Sequence, residues 1–153
     1  MQSQNQFKQS VEKGQLDMRI NPNTIPCQVA AGETLLPGMA VKLVDDSNPI
    51  PVVTPVTADT DKVFGVVPYN LQRSSHVGDD GDVLEISIDG SIIYMEASAA
   101  IARGADVMVV VASEKVALST SGKAVLGFAF DKAAADGDLI RVYVQGLQGK
   151  VTA

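Results

Sequence analysis

The sequence predicts an all-β fold, a small β-barrel or sandwich with an extended N-terminal arm, and three observations carry that reading. From Ile25 onward, short apolar runs rich in Val and Ile are punctuated by Gly, Pro and Asp at roughly regular spacing. No segment sustains a helical period of apolar residues. Three short segments recur in the same order in both halves, so two pseudo-repeated lobes are expected within one body.

Residues 1–24 read differently from everything after them. Gln2, Gln4, Gln6, Gln9 and Gln15 alternate with polar or charged residues, and Phe7, Val11, Leu16, Met18 and Ile20 are too sparse for a continuous apolar stripe. The segment closes on Asn21-Pro22-Asn23-Thr24, a turn signal in which Pro22 pushes Asn21 towards extended geometry. It is read as an arm, either without fixed structure or laid along a partner. Residues 25–153 form the β-rich body, with lobes expected at 25–95 and 96–148.

Ten strands are expected in that body: Ile25–Ala30, Ala40–Val44, Val52–Thr57, Val63–Val67, Val83–Ile88, Ser91–Met95, Val107–Val111, Lys115–Leu118, Ala124–Phe130 and Leu139–Gln145. β-Branched side chains favour such runs because a stiff side chain packs well on a pleated surface. Leu36-Pro37-Gly38 is a turn into the second run, with Pro presetting φ and Gly supplying a conformation that other residues avoid. Gly65 and Gly127 sit mid-strand, which predicts a bulge or a close backbone approach. Asp89-Gly90 between two β-rich runs predicts a type I′ hairpin. The Ala-rich Ser98–Arg103 and Lys132–Ala135 are expected as single helical turns. The apolar runs Val107–Val111 and Ile92–Met95 read either as core strands or as a seam between copies.

The recurring segments are Gly38–Leu43 with Gly104–Val109, Val63–Val67 with Val125–Ala129, and Asp80–Leu84 with Asp136–Ile140. Each alone is ordinary, since Gly-Asp before a strand is common turn chemistry. Their shared order is what makes a duplicated β-fold the expectation.

Composition removes several functions. Net charge is −6, and the 12 Lys and Arg residues are scattered. A protein that neutralises nucleic-acid phosphates needs a concentrated basic face, and an anionic membrane surface asks for the same, so neither partner is expected. The longest apolar run is far below the roughly 20 residues of a membrane helix. The Gln-rich start lacks the apolar core of a signal peptide, so the chain is expected to be soluble and intracellular when made. The single Cys27 excludes an internal disulfide and a multi-cysteine metal site, and reads as a buried inert thiol.

The search for reactive groups is also negative. His76 is the only histidine, it lies in a polar loop, and no serine has the surroundings of a nucleophile elbow. Asp79-Asp80-Gly81-Asp82 lacks the alternating carboxylates and distal Glu of a calcium loop, and Asp59-Thr60-Asp61 reads as an acidic loop. Ser119-Thr120-Ser121-Gly122-Lys123 ends like a phosphate-binding loop, but Ala124 stands where Ser or Thr is needed and no helix follows. No catalytic, cofactor-binding or metal residues are assigned, no cofactor is expected, and the chain is read as a non-enzyme.

Ala31–Leu43, Val63-Phe64-Gly65-Val66-Val67, Gly81–Ile86, Gly90–Met95, Ala99–Val107, Gly127-Phe128-Ala129 and Gly137–Val142 together resemble the capsid decoration, or head cement, proteins of tailed bacteriophages. The resemblance spans residues 31 to about 145 and is a rhythm of Gly and hydrophobic residues rather than a reactive motif. It implies a β-rich homotrimer on the outer surface of the virion, in contact with the major capsid protein and clamping the shell where capsomers meet. It also implies an arm that crosses neighbouring subunits. Gln4, Gln6, Phe7, Val11, Leu16, Met18 and Ile20 are then the capsid-contact candidates. Rival readings are a carbohydrate- or cell-surface-binding module displayed on a particle, a tail-tube or head-completion protein, and a small hydrolase or isomerase that would use His76.

Overall fold

The computed structural model describes residues 12–17, 22–69 and 77–145, and every regular element among them is a strand. In chain order these are β1 (Thr24–Val29), β2 (Ala40–Leu43), β3 (Val52–Pro55), β4 (Gly65–Val66), β5 (Val83–Ser87), β6 (Ile92–Glu96), β7 (Asp106–Val110), β8 (Lys115–Leu118), β9 (Gly127–Ala129) and β10 (Leu139–Val144). Each falls on one of the ten expected runs. Alternation sets the faces: in β10, Ile140, Val142 and Val144 are buried while Leu139, Arg141 and Tyr143 turn outward.

β1 to β5 form a closed barrel in the order β1-β3-β2-β4-β5, and β6 to β10 form a second sheet in the order β6-β10-β9-β7-β8. The two have one topology. In the barrel, β1 pairs with β5, β5 with β4, β4 with β2 and β2 with β3, all antiparallel. In the second sheet the same places are taken by β6, β10, β9, β7 and β8. The barrel closes through a parallel pairing of β1 with β3, Val29 opposite Val53. At the equivalent point of the second sheet a single parallel bridge joins Ala97 to Val116.

The repetition extends to connecting hydrogen bonds. Gly38 N donates to Val67 O at 2.8 Å, and Gly104 N to Ala129 O at 2.7 Å. Phe64 N donates to Val41 O at 2.8 Å, and Leu126 N to Val107 O at 2.9 Å. The arch bridge Leu35–Gly78 has its counterpart in Ile101–Ala133. The three recurring segments thus lie on equivalent strands and turns.

Gly65 and Gly127 are the equivalent close approaches. A Cβ on Gly65 would lie 2.4 Å from Ser87 O, and one on Gly127 would lie 1.8 Å from Tyr143 O, so each backbone passes tightly over the next strand.

Two local expectations are corrected. Asp89-Gly90 does not close a hairpin, because β5 belongs to the barrel and β6 to the second sheet. Ser91 N donates to Ile88 O at 3.1 Å, and Gly90 alone of the two central residues has positive φ, the pattern of a type II turn rather than type I′. Ser98–Arg103 and Lys132–Ala135 contain no helical turn; Ile101 and Ala133 instead exchange backbone hydrogen bonds at 3.0 and 2.9 Å. Local Ala content is overridden by this pairing.

One core fills the barrel around Cys27, Val29, Leu35, Val41, Val53 and Ile86. A second lies around Ile93, Met95, Val107, Leu126, Ile140 and Val142, and Ala40, Val56, Val63 and Val66 of the barrel side enter it. The two sheets therefore share apolar contact. Lys123 Nζ reinforces the join with a 3.0 Å bond to Asp59, whose carbonyl accepts from Ala124 N at 3.0 Å. The runs Val107–Val111 and Ile92–Met95 supply core residues: Val107, Val109, Ile92, Ile93 and Met95 are all buried.

Candidate functional site

The structural feature that sets this chain apart from a bare pair of sheets is the segment 12–17, which lies along the free edge of β6. Glu12 O accepts from Gln15 N at 3.0 Å, making a turn at Lys13-Gly14. Gly14 has φ of 84°, and a Cβ there would sit 2.7 Å from Gly38 N, so only glycine fits. Gly14 N donates to Tyr94 O at 2.7 Å, Tyr94 N to Gln15 O at 2.9 Å, and Asp17 N to Ile92 O at 2.9 Å. Leu16 bridges antiparallel to Ile93 and packs half-buried against the second core. This is strand addition to a sheet edge that would otherwise present unpaired donors and acceptors.

The segment is bound at both flanks. Tyr69 N donates to Gly14 O at 2.7 Å, tying it to the barrel side. Lys13 Nζ donates to Glu114 O at 2.7 Å, in the β7–β8 turn where Glu114 has φ of 55°. At its far end Asp17, with its side chain only 5% exposed, accepts from Arg141 Nη1 at 3.2 Å.

Arg141 is the hub. Its Nε and Nη2 bind both oxygens of Asp131 at 2.8 and 2.7 Å, a bidentate fork, and its guanidinium lies 4.8 Å from the centre of the Phe130 ring. The hydrogen bonds from Arg141 hold the Asp131 carboxyl below the usual carboxylate range, against the opposing effect of burial. Hydrogen bonds donated to Asp131, then to Asp17, raise the Arg141 guanidinium further above its already high value. One permanently charged side chain thus links β10, the preceding β9–β10 loop and the N-terminal segment.

The other sequence candidates resolve into structure. Asp79 N donates to Asp82 Oδ2 at 3.0 Å and Thr34 Oγ1 to Asp79 Oδ1 at 3.2 Å, a capped charged turn before β5. Asp61 Oδ2 accepts from Thr57 N, Ala58 N and Lys42 Nζ at 3.0, 3.1 and 2.8 Å, and these bonds, led by Lys42, hold its carboxyl down to about 2. Lys123 is spent on Asp59. Cys27 is buried in the barrel; burial first, then Glu85, pushes its thiol up to about 11, so it stays protonated and unreactive at neutral pH. Among the described residues no group of three or more His, Cys, Asp or Glu could hold a metal ion.

His76 lies outside the described residues, as do Gln4, Gln6, Phe7, Val11, Met18 and Ile20. Leu16 is the one capsid-contact candidate within them, and its side chain is engaged with this chain's own core. Sequence reasoning did not find the edge pairing of 12–17 or the Asp17–Arg141–Asp131 link. The one signal available was Gly14 flanked by Lys13 and Asp17, too short a pattern to suggest a strand.

No curated protein sequence matches the chain. Among solved structures it resembles the N base of the head fibre gp8.5 of bacteriophage phi29, with a TM-score of 0.54 and 13% identity, covering 84% of this chain and 99% of that one. At that identity the likeness is one of fold. The structural cement protein family (E217 gp24/Pam3 gp6) matches residues 1–145, almost the whole chain. With an all-β body, an edge-bound N-terminal segment and this match, the chain belongs to the phage structural cement protein family and is a capsid-associated structural protein of the virion.

Proposed function

We propose that this protein binds the outer surface of a phage capsid, contacts the major capsid protein, and stabilises the shell by bridging neighbouring capsomers as a homotrimer. Residues 1–24 act as the arm and 25–153 as the decoration body, with lobes at 25–95 and 96–148. Gln4, Gln6, Phe7, Val11, Met18 and Ile20 supply the arm's contacts to the shell, while Leu16 fixes the arm's base.

The observation that supports this reading most is the anchoring of 12–17. A staple transmits force only if its base is fixed, and here the base is held by backbone pairing to β6, by Lys13 to Glu114 O and by Asp17 to Arg141. A protein that binds assembled shell and not free subunits stabilises the shell by mass action, and many copies on one lattice add avidity to modest single contacts.

The test compares the full chain with a variant lacking residues 1–11 on purified shells stripped of this protein. Bound fraction, shell disassembly temperature and the mass of the bound unit are measured. The truncated protein is expected to keep its β-sheet spectrum and to bind at least tenfold more weakly, with the full chain present as trimers. Equal binding by the two would remove the arm from the mechanism, and monomers on the shell would remove the trimer.

A further inference from the structure

The duplication allows each surface position of the barrel to be compared with its twin in the second sheet, and at one row the two differ in kind. In the second sheet the outward row is Leu139 opposite Glu96, with Lys115 beside them. Lys115 Nζ bonds Asp136 at 2.8 Å and Glu96 at 3.1 Å, so the row is closed by its own ion pairs. In the barrel the same places hold Val83 opposite Gln28, with Val52 beside Gln28, and Asp80 stands where Asp136 does. With Val52 in place of the lysine, Asp80 has no ion pair among the described residues.

The result is an apolar patch with no partner of its own. Val83 is 54% exposed, the highest among the large hydrophobic residues described, and Ile50 is 40% exposed. Gln28 lies at its centre, accepting from Asn48 Nδ2 at 3.0 Å and reaching Gly81 O at 3.5 Å, so the loops bearing Asp46 and Asp80 border the patch. Glu85 follows two residues after Val83 on the same outward face. The whole barrel leans the same way: from Thr24 to Ile88 the sequence has nine carboxylates against three cations, and from Ile92 to Val144 six against five.

We infer that this outer face of the barrel, centred on Val83, Gln28, Val52 and Ile50, is a docking surface for a protein surface that presents an apolar side chain ringed by Lys or Arg. Charge complementarity argues for that occupant: carboxylates bordering an apolar centre steer a basic partner and exclude an acidic one, a second copy of this face included. Resting on the proposed attachment to the shell, the inference places the basic, apolar-centred patch on the shell protein. It also gives the body a contact independent of the arm.

The experiment measures binding to stripped shells at two salt concentrations for the unmodified protein and three variants. Val83→Glu is expected to bind at least tenfold more weakly, with an unchanged thermal midpoint because the site is exposed. Leu139→Glu, the same change at the twin position, is expected to stay within about twofold of the unmodified protein, since that row is already satisfied by its own ion pairs. Asp80→Lys with Glu85→Lys is expected to weaken binding at low salt and to flatten its salt dependence. If the unmodified protein binds and Val83→Glu binds equally well, the face is overturned and attachment stands. Equal losses for Val83→Glu and Leu139→Glu also overturn it. If the unmodified protein fails to bind, attachment falls and takes this face with it.

Discussion

Replacing Gly127 by Ala tests the duplicated architecture at its tightest point. The new Cβ would lie 1.8 Å from Tyr143 O, 2.9 Å from Tyr143 C and 3.2 Å from Gln145 N. A carbon needs about 3.3 Å from a carbonyl oxygen, so β9 would have to retreat from β10 by about 1.5 Å. That displacement reaches the pairs Val142–Ala129, Tyr143–Phe128 and Val144–Gly127, and with them the 5.0 Å stack of Phe128 on Tyr143. Overpacking of this kind costs about 1–3 kcal/mol, and each buried backbone group left unpaired adds about 1–3 kcal/mol, giving roughly 3–5 kcal/mol in all. For a chain of this size that is a fall of about 6–20 °C in melting temperature. Gly65→Ala meets Ser87 O at 2.4 Å and the Ile86 side chain at 2.7 Å, a smaller violation, and should cost about 2–3 kcal/mol. Gly122→Ala is the control: its φ is 79° with nothing within 4 Å of the new Cβ, so only the left-handed backbone opposes it, about 1–2 kcal/mol. Urea denaturation followed by circular dichroism should rank the losses Gly127, then Gly65, then Gly122. A Gly127→Ala protein no less stable than Gly122→Ala would refute the close approach of β9 to β10, and with it the equivalence of the two sheets.

The segment 12–17 should prove part of the fold, its backbone paired to β6 and its side chains held by the second sheet. Leu16→Ala should lose about 1–2 kcal/mol of apolar contact and Asp17→Ala about 1.5–3 kcal/mol of charged hydrogen bonding, Arg141 retaining Asp131 in the second case. Urea midpoints for both variants equal to that of the unmodified protein would count against the segment's docking on β6. Acid should also destabilise the protein in a defined window. The Asp61 carboxyl is held down to about 2 and that of Asp131 is lowered, so both favour the folded state fully above the unfolded carboxylate value near pH 4 and lose that contribution as pH falls towards 2. Stability followed by urea midpoint should be level from pH 7 to 5 and drop between about pH 4 and 2, less steeply in Asp61→Asn. A profile flat to pH 2 would contradict the capped loop.

The strands were legible because their signal is local. Alternating Val and Ile between Gly, Pro and Asp specify extended backbone wherever the chain goes next, and Gly65 and Gly127 marked close approaches because a bare backbone mid-strand has few other uses. What failed was pairing. Asp89-Gly90 has the chemistry of a turn, but a turn does not say whether the next strand returns to the same sheet, and here Ile92 begins the other one. The Ala-rich Ser98–Arg103 and Lys132–Ala135 were misread because their backbone groups are satisfied by each other across a long sequence gap. The pairing of 12–17 is not legible because its partner strand β6 lies far along the chain and its Asp17–Arg141 contact is one that no spacing rule reaches. The runs Val107–Val111 and Ile92–Met95 leave core strand and seam both open in the sequence, because an apolar strand looks the same whether it faces a core or another copy.

The charge of this protein is best understood through its twin halves. Both build one topology, with the same turns and the same glycine approaches, yet the second does so with nearly balanced charge while the first holds nine carboxylates against three cations. The fold itself therefore does not require the acid excess. Solubility does not require it either, since carboxylates dispersed over both halves would serve equally and repel one another less. Omitting the lysine that neutralises the equivalent row beside Leu139 leaves exposed Val83 bordered, through Gln28, by the loops bearing Asp46 and Asp80. With the proposed docking face on the barrel and a segment fixed across the β6 edge, the body would take one defined orientation on the shell, which a protein of uniform surface lacks.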